Sequence, residues 1–199
     1  MDSLDNKVIA RIYGKGRGWS FSKIEFNDLA AQSTVGSILY RLEKKGTISR
    51  VIRGIYYYPK ESTLVNENIP VDIPMVAEAI ARKFDWEIIP SGETALNILG
   101  LTNQVPAKYT YMSNGKSNQY KIGKRELEFK KMMMKESNFK HSESNLIVQA
   151  LRALGKENLS QEYLLKIRNS IAHGKHSLIL KDTKSATGWI YEAIREVCK

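Results

Sequence analysis

Few residues in this chain belong to the types that form catalytic or metal sites. Histidine occurs at three positions, His141, His173 and His176, and cysteine only at Cys198. His173 and His176 with one distant cysteine do not complete the four ligands of a structural zinc site. Ser91-Gly92-Glu93 lacks the flanking glycines that expose a serine nucleophile on a strand-to-helix turn. We therefore expect no catalytic residue, no metal and no cofactor.

Arg168 and His173 are the one pair whose spacing fits a known reaction. The segment 168–173 reads Arg-Asn-x-x-x-His and resembles the arginine–histidine signature of HEPN-type ribonucleases. In that family the histidine acts as acid or base, and the arginine stabilises charge at the scissile phosphate. The same segment also fits a helix end, where His173 and Lys175 lie near the last carbonyls and Gly174 forms the cap. That family needs four or more helices, whereas we count about three, so the ribonuclease remains an alternative.

The charge balance indicates a polyanionic partner. Lysine and arginine total 31, aspartate and glutamate total 21, and the formal net charge is +10. A basic chain is attracted to nucleic acid whatever its base sequence. An anionic membrane is disfavoured because no basic amphipathic helix carries bulky apolar anchors and no long apolar stretch is present. The first residues lack the apolar core of a signal peptide, and a single cysteine fits a reducing compartment. We therefore expect a cytoplasmic protein with no membrane partner.

The first sixty residues have the element order of a winged helix-turn-helix. Helical spacing at 4–13, with Ser3 or Asp2 as cap, is followed by a glycine-rich break at 14–18. After Gly46 the apolar period changes from 3.6 to 2, which predicts a hairpin with Arg53-Gly54 at its turn. The predicted elements are a helix (4–13), an extended piece (19–21), a short helix (near 24–29), a helix (34–45, capped by Ser33) and two strands (47–52 and 55–58).

One face of this module is small, polar and basic. In the predicted helix 34–45 the apolar side chains form one stripe, and the opposite side can enter a major groove, with cations reaching phosphates. The glycine-rich run follows a helix and not a strand, so a phosphate-binding loop is disfavoured. Its cations contact a DNA backbone at most, and two arginines lie at the hairpin turn. The predicted DNA-binding residues are Lys15, Arg17, Ser33, Thr34, Ser37, Tyr40, Arg41, Lys44, Lys45, Arg50 and Arg53.

The pattern of the remaining residues predicts a linker (61–72) and an α+β domain (73–199). Helical spacing resumes near Met75, a strand is expected at 84–89, and Ser91 is expected to cap a helix at 93–99. Asn114-Gly115 lies between alternating runs and is the strongest short hairpin signal. It predicts a small antiparallel sheet from strands at 108–112, 119–122 and 125–130. The tail is helical, with three apolar stripes between 147 and 197. The whole chain is thus predicted to be α+β, with domains at 1–60 and 73–199.

Three segments together resemble a known family. They read RIYGKGRGWSF (11–21), LYRLEKKGTISRVIRGIYYYP (39–59) and SGETALNILGLTNQVPAKYTYMSNG (91–115). In this order they are similar to the AbiEi-like antitoxins of type IV toxin–antitoxin systems, closest to the DUF6088 branch. The resemblance covers about residues 5 to 130, and its most specific part is GETALNILGLTNQVP.

The resemblance implies a function for each part of the chain. The winged helix would bind inverted repeats in its own promoter, with 33–45 as recognition helix and 47–58 as wing. The second domain would counteract a nucleotidyltransferase-like toxin, without necessarily forming a stable complex, in bacterial abortive infection or phage defence. The expectation is thus a DNA-binding transcriptional regulator and antitoxin, and not an enzyme. Two alternatives stay open: the ribonuclease with Arg168 and His173, and a protein-interaction module that does not bind DNA.

Overall fold

The computed structural model describes residues 3–60, 70–132 and 139–199. It is a mixed α+β structure with two small sheets, which confirms the α+β class expected from the sequence. The chain divides into two compact units, residues 1–86 and 87–199. This division falls after the helix near Met75, whereas the sequence suggested a linker at 61–72. Residues 61–69 of that linker lie outside the described residues.

The first unit is built from helices around a three-stranded antiparallel sheet. Its sheet order is β1-β3-β2, and the hairpin β2–β3 turns at Arg53-Gly54, where Gly54 has a φ of 79°. The elements are α1 (Leu4–Lys15), β1 (Ser20–Phe21), a short 3₁₀ helix (Lys23–Phe26), α2 (Gln32–Lys44), β2 (Ser49–Ile52), β3 (Ile55–Tyr57) and α3 (Ile73–Phe84). The element order expected for the first sixty residues is therefore confirmed.

Helix α3 belongs to the first unit because it packs on the sheet there. It contacts β1 and β3, and Arg82 in its last turn donates to the Glu25 carboxylate and to the Ser20 carbonyl, at 2.8 and 2.9 Å. Asp85, at a φ of 54°, ends the helix. The strand expected at 84–89 is wrong in position, since Phe84 is still helical and the strand runs from Ile88 to Ser91.

The core of the first unit joins the apolar stripes of α1 and α2 to Phe21 of β1. Val8, Ile12, Phe21, Val35 and Leu39 are fully buried in one cluster. Burial of such side chains contributes about 1.5 to 3 kcal/mol each. The stripe predicted for α2 is confirmed, and it fixes which face of this helix remains in solvent.

Helix α2 begins differently from the sequence expectation but ends as expected. Ala31 occupies the cap position with no side-chain hydrogen bond, so the prediction that Ser33 caps the helix is wrong. Ser33 already lies in the first turn. Gly46, at a φ of 73°, follows the helix, and the Thr47 amide donates to the Leu42 carbonyl, as expected of a glycine C-terminal cap.

The second unit combines a four-stranded sheet with helices. Its sheet order is β4-β5-β7-β6, and its largest core cluster joins α4 to the helices of the tail. The elements are β4 (Ile88–Ser91), α4 (Glu93–Ile98), β5 (Lys108–Ser113), β6 (Asn118–Ile122), β7 (Arg125–Lys131), α5 (Ser142–Leu154), α6 (Gln161–Ser170), α7 (His176–Asp182) and α8 (Gly188–Val197), with 3₁₀ turns at Lys156–Asn158 and Thr183–Ser185.

The predicted antiparallel sheet is wrong in its pairing. β7 lies between β5 and β6, and it pairs parallel with β5 and antiparallel with β6, so the sheet is mixed. Neither Asn114 nor Gly115 has the positive φ that a two-residue type I′ turn requires. Instead Asn114 exchanges two hydrogen bonds with the backbone of Glu87, at 3.0 and 3.2 Å. The tight hairpin is β6–β7, which turns at Gly123 with a φ of 60°.

Two other capping predictions are wrong. Ser91 is a strand residue that bonds to the Thr110 carbonyl, and Gly92 precedes α4. Helix α6 ends at Ser170, so Gly174 does not cap it but lies in the turn before α7, which the sequence analysis missed. The described tail therefore has four α-helices, α5 to α8, and the count of about three is wrong. The three apolar stripes of the tail are confirmed in α5, α6 and α8.

Candidate nucleic-acid interface

The solvent face of α2 carries a line of small polar side chains that ends in a cation. Ser33, Ser37, Tyr40 and Lys44 follow one another at spacings of four, three and four, directly opposite the buried stripe. The Ser37 hydroxyl donates to the Ser33 carbonyl at 3.2 Å. The Tyr40 side chain is 52% exposed, and the Lys44 Nζ lies 5.5 Å from its ring centroid. This outer line presents hydroxyls, one ring and one ammonium to solvent.

Arg41 lies on the flank of α2 that faces α1. Its Nη2 donates to both carboxylate oxygens of Asp5, at 2.9 and 2.8 Å. Both side chains remain about half exposed, at 52% and 45%. The contact ties the two helices together and neutralises Arg41 in the unbound protein. Thr34, two turns earlier on the same flank, is exposed.

Arg50 neutralises the acidic residue on the other flank of α2. Its guanidinium lies 3.1 Å from the Glu43 carboxylate and 5.7 Å from the centroid of the Tyr56 ring. Without this arginine, Glu43 would place a negative charge beside the outer line. The contact therefore keeps the surface between α2 and β2 from repelling a polyanion.

Lys15 and Arg17 lie near one another in sequence but differ in role. Lys15 ends α1 and is exposed. The Arg17 Nη1 donates to the Pro59 carbonyl at 2.9 Å, and its guanidinium lies 5.1 Å from the centroid of the Tyr58 ring. Arg17 thus joins the glycine-rich turn to the end of the hairpin.

Arg17 and Lys45 both line a pocket of about 390 Å³ at the base of the hairpin. Tyr13 and Tyr58 stack there with ring centroids 5.3 Å apart. The wall is completed by Gly46, Thr47, Ser49 and Pro59. The structure therefore brings two of the predicted DNA-binding cations into one polar concavity.

Arg53 is exposed at the hairpin turn, and its surroundings include two cations that the sequence analysis missed. The Lys83 Nζ donates to the Arg53 carbonyl at 3.4 Å. Burial lowers the pKa of Lys83, and the charges of Lys23 and Arg53 lower this pKa further. Lys83 comes from α3, beyond the expected linker, so no local spacing signal could have placed it at the turn.

The residues considered for catalysis are exposed in the second unit. Arg168 lies on the exposed side of α6, and His173 is exposed in the turn beyond this helix. Within the described ranges, no hydrogen bond joins them, and no group of three histidine, cysteine, aspartate or glutamate side chains is arranged to hold a metal ion. None of the described helices is both long and apolar enough to span a bilayer.

Together these elements define an α+β protein whose first unit presents a polar and basic helix beside a hairpin. The chain belongs to a family described as a family of unknown function, DUF6088, whose model matches residues 7–179. The match extends from α1 into α7 and so includes both compact units. No curated protein matches the chain.

Proposed function

We propose that the first unit is a winged helix-turn-helix that binds double-stranded DNA, and that the protein is a transcriptional regulator. The observation that carries this proposal is the outer line of α2, Ser33 to Lys44, beside a hairpin with Arg53 at its turn. Small polar side chains let a helix enter the major groove, and a cation at its end reaches a phosphate. In this proposal α2 is the recognition helix and β2–β3 is the wing.

The contacts on both flanks of α2 support this interpretation. Glu43, the acidic residue nearest the outer line, is neutralised by Arg50, whereas Lys44 and Lys45 have no carboxylate partner among the described residues. This end of α2 therefore carries an excess of positive charge. Unbalanced like charge lowers stability, so a surface used only for packing would not require this excess. The imbalance favours an anionic partner over the alternative of a purely protein-binding module.

We further propose that the protein is the antitoxin of an AbiE-like system in the cytoplasm. The support is the resemblance of residues 11–21, 39–59 and 91–115 to AbiEi-like antitoxins. In this proposal the protein represses its own promoter by binding inverted repeats, and its second unit counteracts a nucleotidyltransferase-like toxin. We assign no residues to that second activity and no enzymatic activity to the chain.

Binding to the upstream DNA of its own gene tests the proposal. The labelled promoter fragment is titrated with protein, followed by fluorescence anisotropy, with a scrambled fragment of equal length as competitor. We expect preference for the promoter, and a steep fall in affinity with added salt. Lys44→Ala should weaken binding and lower the salt slope by about one. Equal affinity for promoter and scrambled DNA would overturn the proposal.

The matched control is Lys7→Ala. Lys7 is an exposed lysine of α1 that lies on the opposite side of this helix from Asp5, so it points away from Arg41 and α2. It removes the same charge from the same unit. We expect its affinity to remain close to that of the wild type. A loss equal to that of Lys44→Ala would show that net charge and not the α2 face determines binding.

An experiment with the toxin distinguishes the proposed function from the alternative of a protein-interaction module. The neighbouring nucleotidyltransferase-like protein, where the operon encodes one, is co-expressed with the chain and tested for growth arrest and co-purification. Relief of growth arrest supports the antitoxin role. Co-purification without any DNA preference would replace the DNA-binding proposal by the protein-interaction module.

A further inference from the structure

Three cations belong to elements that meet at the hairpin turn of the first unit: α3 contacts β3, and Phe21, two residues before Lys23, pairs with Tyr56, two residues after Gly54. Lys23 begins the 3₁₀ helix, Arg53 forms the turn between β2 and β3, and Lys83 is in the last turn of α3. Lys23 and Arg53 are exposed, and Lys83 is partly buried. The charges of Lys23 and Arg53 both act on the Lys83 ammonium and lower its pKa, after the larger effect of burial.

The Lys83 ammonium is held directly against the turn. It donates to the Arg53 carbonyl at 3.4 Å, and a methyl group at Gly54 would lie only 2.7 Å from its Nζ. It also lies 5.0 Å from the ring centroid of Phe84, which is 46% exposed. An ammonium has three donors, so the Arg53 carbonyl occupies one of them and two can bind another acceptor.

None of the three cations forms an ion pair in the described part of the chain, whereas the neighbouring Arg50 and Arg82 do. Arg82, next to Lys83, bonds to Glu25 at 2.8 Å. The fold thus neutralises the adjacent arginine but leaves three like charges together. Such an arrangement costs stability unless an anion binds to it.

We propose that Lys23, Arg53 and Lys83 form a binding site for one phosphate group of the DNA backbone beside the wing. This inference rests on the proposed DNA binding and extends the interface beyond the winged helix to α3. A phosphate bound at the turn would meet cations carried by three separate elements, and ammonium groups bind phosphate as point charges. The site positions the wing and does not read base sequence.

Salt dependence tests the site. The double variant Lys23→Ala/Lys83→Met removes two of its charges and keeps the apolar stem of Lys83. Loss of one phosphate contact should lower the slope of log affinity against log salt by about 0.9, equivalent to roughly an eightfold loss near 0.1 M salt. The loss should be equal for promoter and scrambled DNA, because a phosphate carries no base information. Lys23→Arg should retain the wild-type slope.

The outcomes separate this inference from the proposed function. If the wild type shows no preference for its promoter, the proposed function fails. If the wild type binds the promoter and Lys44→Ala weakens binding, but the double variant keeps the wild-type slope, the phosphate site fails alone. The single variant Lys23→Ala, at an exposed position, repeats the test without altering the partly buried Lys83.

Inorganic phosphate is a probe that does not require DNA. In amide spectra of the full chain, we expect saturable shifts at Gly54 and Lys83 on adding phosphate, and none in the double variant. The melting temperature of the double variant should not fall, since like charges are removed. A lower melting temperature with an unchanged salt slope would assign these lysines to the fold and overturn the proposal.

Discussion

The Nη2 atom of Arg41 donates to both carboxylate oxygens of Asp5, which places a neutralised arginine on the flank of the proposed recognition helix. A phosphate that approaches this flank must compete with Asp5 for the guanidinium. Exposed ion pairs of this kind contribute only about 0.2 to 1 kcal/mol, so a DNA phosphate could displace Asp5 from Arg41 at little cost. We therefore expect Asp5 to lower the affinity for DNA while adding little to the stability of the first unit.

We predict that Asp5→Asn strengthens DNA binding. The change removes one negative charge near α2 and releases Arg41 for a phosphate, so affinity should rise severalfold at low salt and the salt slope should increase by up to one. The measurement is the anisotropy titration over a range of salt concentrations. Weaker binding by Asp5→Asn would show instead that Asp5 positions Arg41 for the contact.

Glu162→Gln is the charge-matched control for this prediction. Glu162 pairs with Lys166 on the surface of α6, in the other compact unit, and its removal changes the net charge by the same amount. We expect no more than a small rise in affinity. An equal rise in both variants would attribute the effect to total charge.

The helix and hairpin of the first unit could be predicted because their signals are local. The buried stripe of α2, the glycine at 46 and the Arg53-Gly54 turn each depend on a few neighbouring residues, and each is confirmed. The outer line of α2 follows from the same periodicity. Such signals place cations on a helix face without any knowledge of the tertiary structure.

The partners of those cations could not be predicted, because they depend on contacts between distant segments. Asp5 and Arg41 are 36 residues apart, and Lys83 reaches the turn at Arg53 from a helix beyond the expected linker. The parallel pairing of β5 with β7 was missed for the same reason. An Asn-Gly pair predicts a hairpin only when its backbone adopts the turn, and the hydrogen bonds of Asn114 to Glu87 outweigh that preference.

Asp182 stabilises the start of α5, and we predict that Asp182→Asn lowers the stability of the second unit. Its carboxylate accepts hydrogen bonds from the amides of Lys140 and His141, at 3.0 and 3.1 Å. His141 is the cap residue of α5 and Lys140 precedes it, so the carboxylate holds the backbone that enters this helix, and weakening these hydrogen bonds costs about 1 kcal/mol. Denaturant unfolding at neutral pH measures the difference from wild type.

The pH dependence of this difference follows from the pKa of Asp182. Burial raises this pKa, but the two backbone hydrogen bonds, Ser144 and the charge of His141 outweigh burial and hold the pKa below its ordinary value of 3.8. The unfolded chain then binds the proton more tightly, so the stabilisation is present above pH 3.8 and is lost as the pH falls through the lower folded pKa. The difference between wild type and Asp182→Asn should therefore shrink in acid. A constant difference from neutral pH to acid would contradict the role of the charge.

We predict that the chain does not cleave RNA through Arg168 and His173. Both residues are exposed, and the segment 168–173 also fits an ordinary turn between α6 and α7, which is the interpretation that this prediction tests. Wild type and His173→Ala should leave labelled RNA equally intact. Cleavage by the wild type that His173→Ala abolishes would establish the ribonuclease alternative.

A single substitution at the start of α2 should change stability and DNA affinity in opposite directions. Ala31 occupies the cap position without a side-chain bond, and the first turn of α2 holds no acidic residue. Ala31→Asp should stabilise the protein by about 1 kcal/mol, since its carboxylate can accept from the free amides and favours the helix dipole.

The same carboxylate should oppose DNA. If the first turn of α2 lies in a groove between phosphates, Ala31→Asp should weaken binding several-fold while raising the melting temperature. Ala31→Asn is the matched control, because it provides a cap of similar shape without charge and should stabilise the helix with little loss of affinity. Thermal unfolding and anisotropy titration measure the two effects. Undiminished promoter affinity in Ala31→Asp would place the start of α2 outside the DNA interface.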